Sequence, residues 1–72
     1  MEIRYDPYAD AMYITLREGK FHHNREIDKS IIIDFDKDNK VLGIEVLFVK
    51  ETNPNLLKEL KVENLLADRS QN

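Results

Sequence analysis

The stretch IIIDFDKDNKVLGIEVL, residues 31–47, carries the strongest structural signal in this chain. It contains two runs of large apolar and β-branched residues, 31–35 and 41–47, on either side of a five-residue polar segment. Runs of this length that are bounded by turn residues are typical of β-strands. Asp38-Asn39 suits a tight turn, because Asn tolerates the left-handed backbone conformation. The stretch therefore predicts an antiparallel hairpin.

The hydrophobic pattern also predicts the register of this hairpin. A turn centred on Asp38-Asn39 places the large apolar side chains on one face in three opposed pairs: Phe35 with Leu42, Ile33 with Ile44, and Ile31 with Val46. On the other face it places Asp34 opposite Gly43 and Ile32 opposite Glu45. A slip by one residue would mix the two sets, so the pattern favours this register.

A second hairpin is predicted at the amino terminus, with Pro7 to Asp10 as its loop. Apolar residues alternate along both arms, and a four-residue loop places Asp6 opposite Ala11, Tyr5 opposite Met12, and Ile3 opposite Ile14. The opposite face then carries Glu2, Arg4, Tyr13 and Thr15. The register again separates apolar from polar side chains.

The segment between the two hairpins has a weaker pattern. Glu18-Gly19-Lys20 predicts a turn, with Gly19 supplying a positive φ angle. Residues 21–28 follow as a polar strand with only Phe21 and Ile27 as large apolar residues, which favours a position at a sheet edge. The predicted fold class is α+β: a small antiparallel β-meander of four to five strands over residues 1–49, followed by a short C-terminal helical segment.

The tail, residues 53–67, is predicted to be helical, because Asn53 suits the N-cap and Pro54 the first helical position. Its apolar residues form two groups on largely opposite sides of a helix: Leu56, Leu57 and Leu60 in the first, and Val62, Leu65 and Leu66 in the second. Either the helix breaks near Lys61, or it is apolar all round. Residues 68–72 are expected to be a frayed polar end.

The composition limits the class of protein. The chain has 72 residues, 42% hydrophobic and 35% charged, which suits one globular domain over residues 1–72 near the lower size limit for a self-sufficient core. Without Cys, it has neither disulfides nor thiolate zinc sites, so association with a second copy is the expected aid to stability. The net charge of −3 argues against nucleic-acid binding. No signal peptide or membrane span is recognisable, and the expected location is the cytoplasm.

The less apolar face of the sheet is the place where several polar groups could converge. Tyr13, Glu45 and Arg4 are the candidate ligand-binding residues there, with Thr15 and Glu26 close to them in the predicted register. The simpler interpretation is a solvated face of cross-strand pairs.

Other polar clusters have structural explanations. His22 and His23 are adjacent, and neighbouring residues of a strand point to opposite faces, so one metal ion is not expected to bind both. Asp34, Asp36 and Asp38 resemble the start of a calcium loop that lacks its Gly and its closing Glu, and they fit a hairpin tip. Asp6 and Asp10 are expected to bond loop amides. The sequence therefore predicts no metal site, no cofactor and no catalytic residue.

The motifs Tyr5-Asp6-Pro7, Ala9 to Ile14, Asp34-Phe35-Asp36 and Val41 to Glu45 resemble the DUF2283 family of small uncharacterised prokaryotic proteins over residues 1–48. The family commonly has Gly where this chain has Asn39, and both residues accept a positive φ. Because the family has no known function, no catalytic residues transfer.

The resemblance implies a binding or antitoxin-like role, with a protein partner encoded nearby. The leading hypothesis is a small interaction module, most simply a homodimer whose contact includes Val62, Leu65 and Leu66. The alternative is a small-molecule or metal-binding protein, conceivably an enzyme, that uses the face around Tyr13 and Glu45.

Overall fold

The computed structural model describes residues 1–66 and confirms the α+β class. Five strands form one antiparallel sheet: β1 Glu2–Asp6, β2 Ala11–Thr15, β3 His23–Asp28, β4 Ile31–Phe35 and β5 Val41–Leu47. Within residues 1–66, two short helices follow, α1 Val49–Thr52 and α2 Leu56–Glu59.

The strand order is β1-β2-β5-β4-β3, so the predicted meander is corrected. Strands β3, β4 and β5 are connected by hairpins, and β2 pairs with β5 on its other side. This arrangement is a Greek key. It gives the long, apolar β5 a central position and leaves the polar β3 at an edge, as predicted.

The amino-terminal hairpin has the predicted register. Ile3 lies opposite Ile14, Tyr5 opposite Met12 and Asp6 opposite Ala11. The carboxylate of Asp6 accepts hydrogen bonds from the amides of Tyr8 (2.9 Å) and Ala9 (3.3 Å) and so holds the loop closed, as expected of Asp before Pro.

The β4–β5 register agrees with the prediction at four positions and differs at the fifth. Residues 31–34 have the expected partners, but Phe35 lies opposite Val41 instead of Leu42. The reason is the loop, which contains three residues, 37–39, and ends with Asn39 at φ 62°. Such a loop shifts the pairing next to it by one residue. A bulge at Leu42 then returns the rest of the hairpin to the predicted register.

The connection between β2 and β3 crosses the end of the sheet beside this bulge. The carbonyl of Leu42 accepts hydrogen bonds from the amides of Leu16 (2.8 Å) and Arg17 (3.2 Å). Gly19 does not have the predicted positive φ. Its lack of a side chain leaves room for Leu42 instead, because a Cβ at Gly19 would lie 2.6 Å from a methyl carbon of the Leu42 side chain.

The helices differ from the predicted tail. Asn53 is the C-cap of the unpredicted α1, and α2 begins only at Leu56. Leu60 leaves the helical conformation at ψ 125°, which favours the predicted alternative of a break near Lys61. Val62, Leu65 and Leu66 do not fold back on the sheet, since they are 81%, 61% and 76% exposed. The expected frayed end, residues 68–72, lies outside the described residues.

The buried core of the described chain is small. It consists of Ala11, Met12, Phe35, Leu42 and Val49. Contacts between elements are mainly those between neighbouring strands, and neither helix packs extensively on the sheet. Both faces of the sheet therefore remain partly open to solvent.

Candidate functional site

The polar face of the sheet brings the three candidate ligand-binding residues into one row. Arg4 lies opposite Tyr13, Tyr13 opposite Glu45, and Glu45 opposite Ile32. Glu26 pairs with Ile32 on the far side, so an isoleucine separates it from the other polar groups. The predicted convergence therefore exists for Arg4, Tyr13 and Glu45.

The neighbouring row contributes the carboxylate of Asp34, which was not predicted to be a site residue. Thr15, Gly43 and Asp34 lie side by side on β2, β5 and β4. Asp34 is thereby a diagonal neighbour of Glu45. The signal was present in the predicted register, which already placed Asp34 opposite Gly43 on the face of Glu45.

Asp34 and Glu45 form an acid pair. Burial raises the pKa of the Glu45 carboxyl above its ordinary value of 4.5, and a hydrogen bond to Asp34 and the charge of Asp34 raise this pKa further. Asp34 Oδ1 is buried and lacks a hydrogen-bond partner among residues 1–66. When Glu45 is protonated, its carboxyl can donate a hydrogen bond to the Asp34 carboxylate.

A depression of about 590 Å³ lies over this pair. The crossing connection forms its rim with Arg17, Gly19 and Phe21. Arg17 is held in place by an ion pair with Asp36 and by a hydrogen bond from its Nε to the carbonyl of Val41 (3.3 Å). The lining of the depression therefore combines the Arg17 guanidinium, which is paired with Asp36, with the Asp34 and Glu45 carboxyl groups.

The acid pair leads to a prediction for Glu45→Gln. Because the folded-state pKa of Glu45 is raised, keeping this carboxyl ionised at neutral pH costs stability, and protonation as pH falls removes the cost. An amide at this position donates to Asp34 at any pH. We expect chemical denaturation to show that Glu45→Gln is more stable than wild type at neutral pH, by on the order of 1 kcal/mol.

This gain should shrink as pH falls through the folded pKa of Glu45 towards 4.5. Glu26→Gln removes an exposed carboxylate from the same row and is the matched control, with little change expected. A less stable Glu45→Gln variant at neutral pH would contradict the raised pKa of Glu45.

Asp10 has a structural role, although with different partners from those expected. Its carboxylate accepts hydrogen bonds from the Tyr5 hydroxyl (2.6 Å) and from the amides of Lys50 (2.9 Å) and Glu51 (3.2 Å). The Tyr5 hydrogen bond, followed by the Lys50 amide, lowers the pKa of Asp10, and the bond to Asp10 raises the pKa of Tyr5 to about 12. Asp10 therefore joins the first hairpin loop to α1.

The two histidines were predicted to point to opposite faces, but their side chains are in contact. His22 Nδ1 and His23 Nδ1 are 2.8 Å apart. The alternation argument is wrong here because β3 begins at His23, which leaves His22 outside the regular strand. Within residues 1–66, no group of three or more metal-ligating side chains is present.

These features define a small α+β domain with an open-faced, five-stranded Greek-key sheet and a polar depression over an acid pair. The sequence model of a family described as protein of unknown function (DUF2283) matches residues 2–50. The chain belongs to the DUF2283 family. No curated protein and no solved structure matches it. Among the described helices, none has the length and apolar character needed to cross a membrane.

Proposed function

We propose that this protein is an interaction module that acts as a homo-oligomer, most simply a dimer, through the apolar face of its sheet and its leucine-rich tail. The observation that carries the proposal is the partial exposure of Ile14, Ile33 and Ile44. These side chains form one cross-strand row on the three central strands, where a second layer would normally bury them.

The size of the surface supports this proposal. A compact monomer of 8.5 kDa exposes about 4,700 Å². This chain exposes 6064 Å². The excess is larger than the roughly 800 Å² that each partner buries in a standard interface. The radius of gyration, 14.6 Å, also exceeds the value of about 11 Å for a compact chain of this length.

The tail adds further exposed apolar area. Leu60, Val62, Leu65 and Leu66 are all more than half exposed. Burial of a large aliphatic side chain contributes about 1.5–3 kcal/mol before ordering costs. A contact that uses both the sheet face and the tail therefore supplies the apolar burial that a chain without disulfides needs.

Adjacent isoleucines on β4 provide the test. Ile33 and Ile32 are both half-buried, but Ile33 lies on the apolar face and Ile32 on the polar face. We expect light scattering at micromolar concentration to give a dimer mass for wild type and for Ile32→Asp, and a monomer mass for Ile33→Asp. Circular dichroism checks that each variant is folded.

A monomer mass for wild type would refute the proposal. If Ile33→Asp does not fold, the double variant Leu65→Asp/Leu66→Asp tests the tail without changing the sheet. A dimer that persists in this double variant would remove the tail from the contact.

The proposed setting is the prokaryotic cytoplasm, where this protein would have an antitoxin-like role and the same apolar surface would bind a protein partner encoded nearby. Co-purification of the neighbouring gene product with wild type, and its loss with Ile33→Asp but not Ile32→Asp, tests this extension.

A second candidate function is small-molecule binding at Tyr13, Glu45 and Arg4. The acid pair in the lining of the depression favours it, since the buried Asp34 Oδ1 has no hydrogen-bond partner among residues 1–66 and a ligand donor would supply one. Native mass spectrometry of protein purified from its own host would then show an added mass. The added mass should be lost from Tyr13→Phe and Glu45→Gln.

A further inference from the structure

His22 and His23 are the two histidines of the chain, and the Nδ1 atoms of their rings are in contact. The Nδ1 atoms are 2.8 Å apart, the ring centroids are 5.0 Å apart, and the ring planes are perpendicular. The contact requires one ring to carry a proton on Nδ1 and the other to present a lone pair there. One proton therefore lies between two nitrogen atoms that are both potential metal ligands.

The fold determines the positions of both residues. His23 begins β3 opposite Phe35, and its ring stacks on the buried Phe35 ring with centroids 5.1 Å apart and planes inclined by 10°. The amide of His22 donates a hydrogen bond to the carbonyl of Phe35 (2.9 Å). The His22 side chain is exposed, so rotation about its broad χ2 torsion can aim its lone pair at a position shared with His23.

The distance between the nitrogen atoms, which is that of a hydrogen bond, also equals the ligand spacing of one coordination geometry. Metal–imidazole bonds are about 2.0 Å long. Two such bonds at a right angle separate the nitrogens by about 2.8 Å, whereas the tetrahedral angle separates them by about 3.3 Å. The observed 2.8 Å matches neighbouring positions of a square-planar or tetragonal site, the geometry of copper(II) and nickel(II).

We infer that His22 and His23 chelate a tetragonal divalent transition-metal ion, with copper(II) preferred, through their two Nδ1 atoms. The Nδ1 proton of the donor ring passes through solvent to the Nε2 atom of the same ring, so both rings bind the ion as neutral imidazoles. Copper(II) ranks first because N-donor sites bind it more tightly than the other divalent first-row metals. The inference is independent of the proposed interaction function.

The remaining coordination positions are open to water. Within residues 1–66, no third metal-ligating side chain completes a cluster with the histidines. The nearby Asp36 carboxylate already accepts the amides of Asp38 (2.8 Å) and Lys40 (3.0 Å) and pairs with Arg17. A two-histidine site with exchangeable positions is therefore expected to bind copper reversibly.

The test is a titration of the full-length, metal-free protein with copper(II) chloride, followed by electron paramagnetic resonance and calorimetry. We expect one equivalent to bind with two nitrogen ligands in a tetragonal spectrum. His22→Asn and His23→Phe should each weaken binding by about tenfold or more. His23→Phe keeps an aromatic ring for stacking on Phe35, so lost packing does not explain its effect. Asp38→Asn, at the neighbouring hairpin tip, should bind copper like wild type.

Three results would overturn the inference. Unchanged copper affinity in the double variant His22→Asn/His23→Phe would place the ion at the terminal amine or elsewhere. Zinc bound more tightly than copper would exclude the right-angle geometry, and absence of nitrogen coupling in the spectrum would exclude the histidine ligands.

Discussion

Phe35→Ala should reduce the free energy of unfolding by about 3–5 kcal/mol, the cost of removing a buried phenylalanine. Phe35 is only 7% exposed, and its ring supports the stacked His23 ring and the Arg25 guanidinium, which lies 5.3 Å from its centroid. The core of so small a domain rarely supplies more than about 3–5 kcal/mol. We therefore expect the variant to be largely unfolded at room temperature, as measured by circular dichroism and urea denaturation.

Phe21→Ala is the matched control, because Phe21 is 55% exposed and the same atoms are removed. Its loss of stability should be a fraction of that of Phe35→Ala. Equal losses in the two variants would show that Phe35 is not part of the core.

Gly43→Ala should also be strongly destabilising. A Cβ at this position would lie 2.6 Å from the carbonyl oxygen of Ile14, and this oxygen belongs to the backbone of the neighbouring strand. This clash can therefore be relieved only if β2 and β5 move apart. Overpacking of this kind costs about 1–3 kcal/mol or more, and urea denaturation would measure it.

Gly19→Ala provides the comparison, since its Cβ would also lie 2.6 Å from its nearest atom. That atom is the end of the Leu42 side chain, which can rotate away. We expect Gly19→Ala to cost clearly less than Gly43→Ala. The opposite order would show that the backbones of β2 and β5 tolerate separation at Gly43.

The features predicted correctly from the sequence were those set by local patterns. Alternation of apolar residues determined the register of the first hairpin and four of the five pairs in the β4–β5 hairpin. The error at Phe35 arose because Asn39 suits both a two-residue turn and the end of a three-residue loop. Composition does not distinguish these loops, and the bulge at Leu42 has no sequence signal.

The strand order and α1 depend on contacts between distant residues. No local pattern indicates that β2 pairs with β5 rather than with β3. Helix α1 begins where the Lys50 and Glu51 amides meet the Asp10 carboxylate, a partner about forty residues earlier in the chain. A cap supplied by another part of the chain is invisible to a reading of the helix sequence.

The candidate site was predicted only in part, because some of its contacts also depend on where the strands begin and how they pair. Arg4, Tyr13 and Glu45 followed from the register, and Asp34 followed from the same register but was interpreted as part of the hairpin tip. The histidine contact was missed because it depends on where β3 begins. A difference of one residue at the end of a strand changes which side chains share a face.

The Greek-key order has a consequence for the sequence of folding events. The hairpins β1–β2, β3–β4 and β4–β5 each close a short loop and can form in microseconds. The β2–β5 pairing instead joins segments more than twenty residues apart, and the Asp10 contacts with Lys50 and Glu51 span 40 and 41 residues. The entropy of closing this long loop must be overcome before the pairing stabilises the chain. Docking of the amino-terminal hairpin onto a preformed three-stranded unit is therefore the expected slow step, and it takes place at the boundary that contains Gly43.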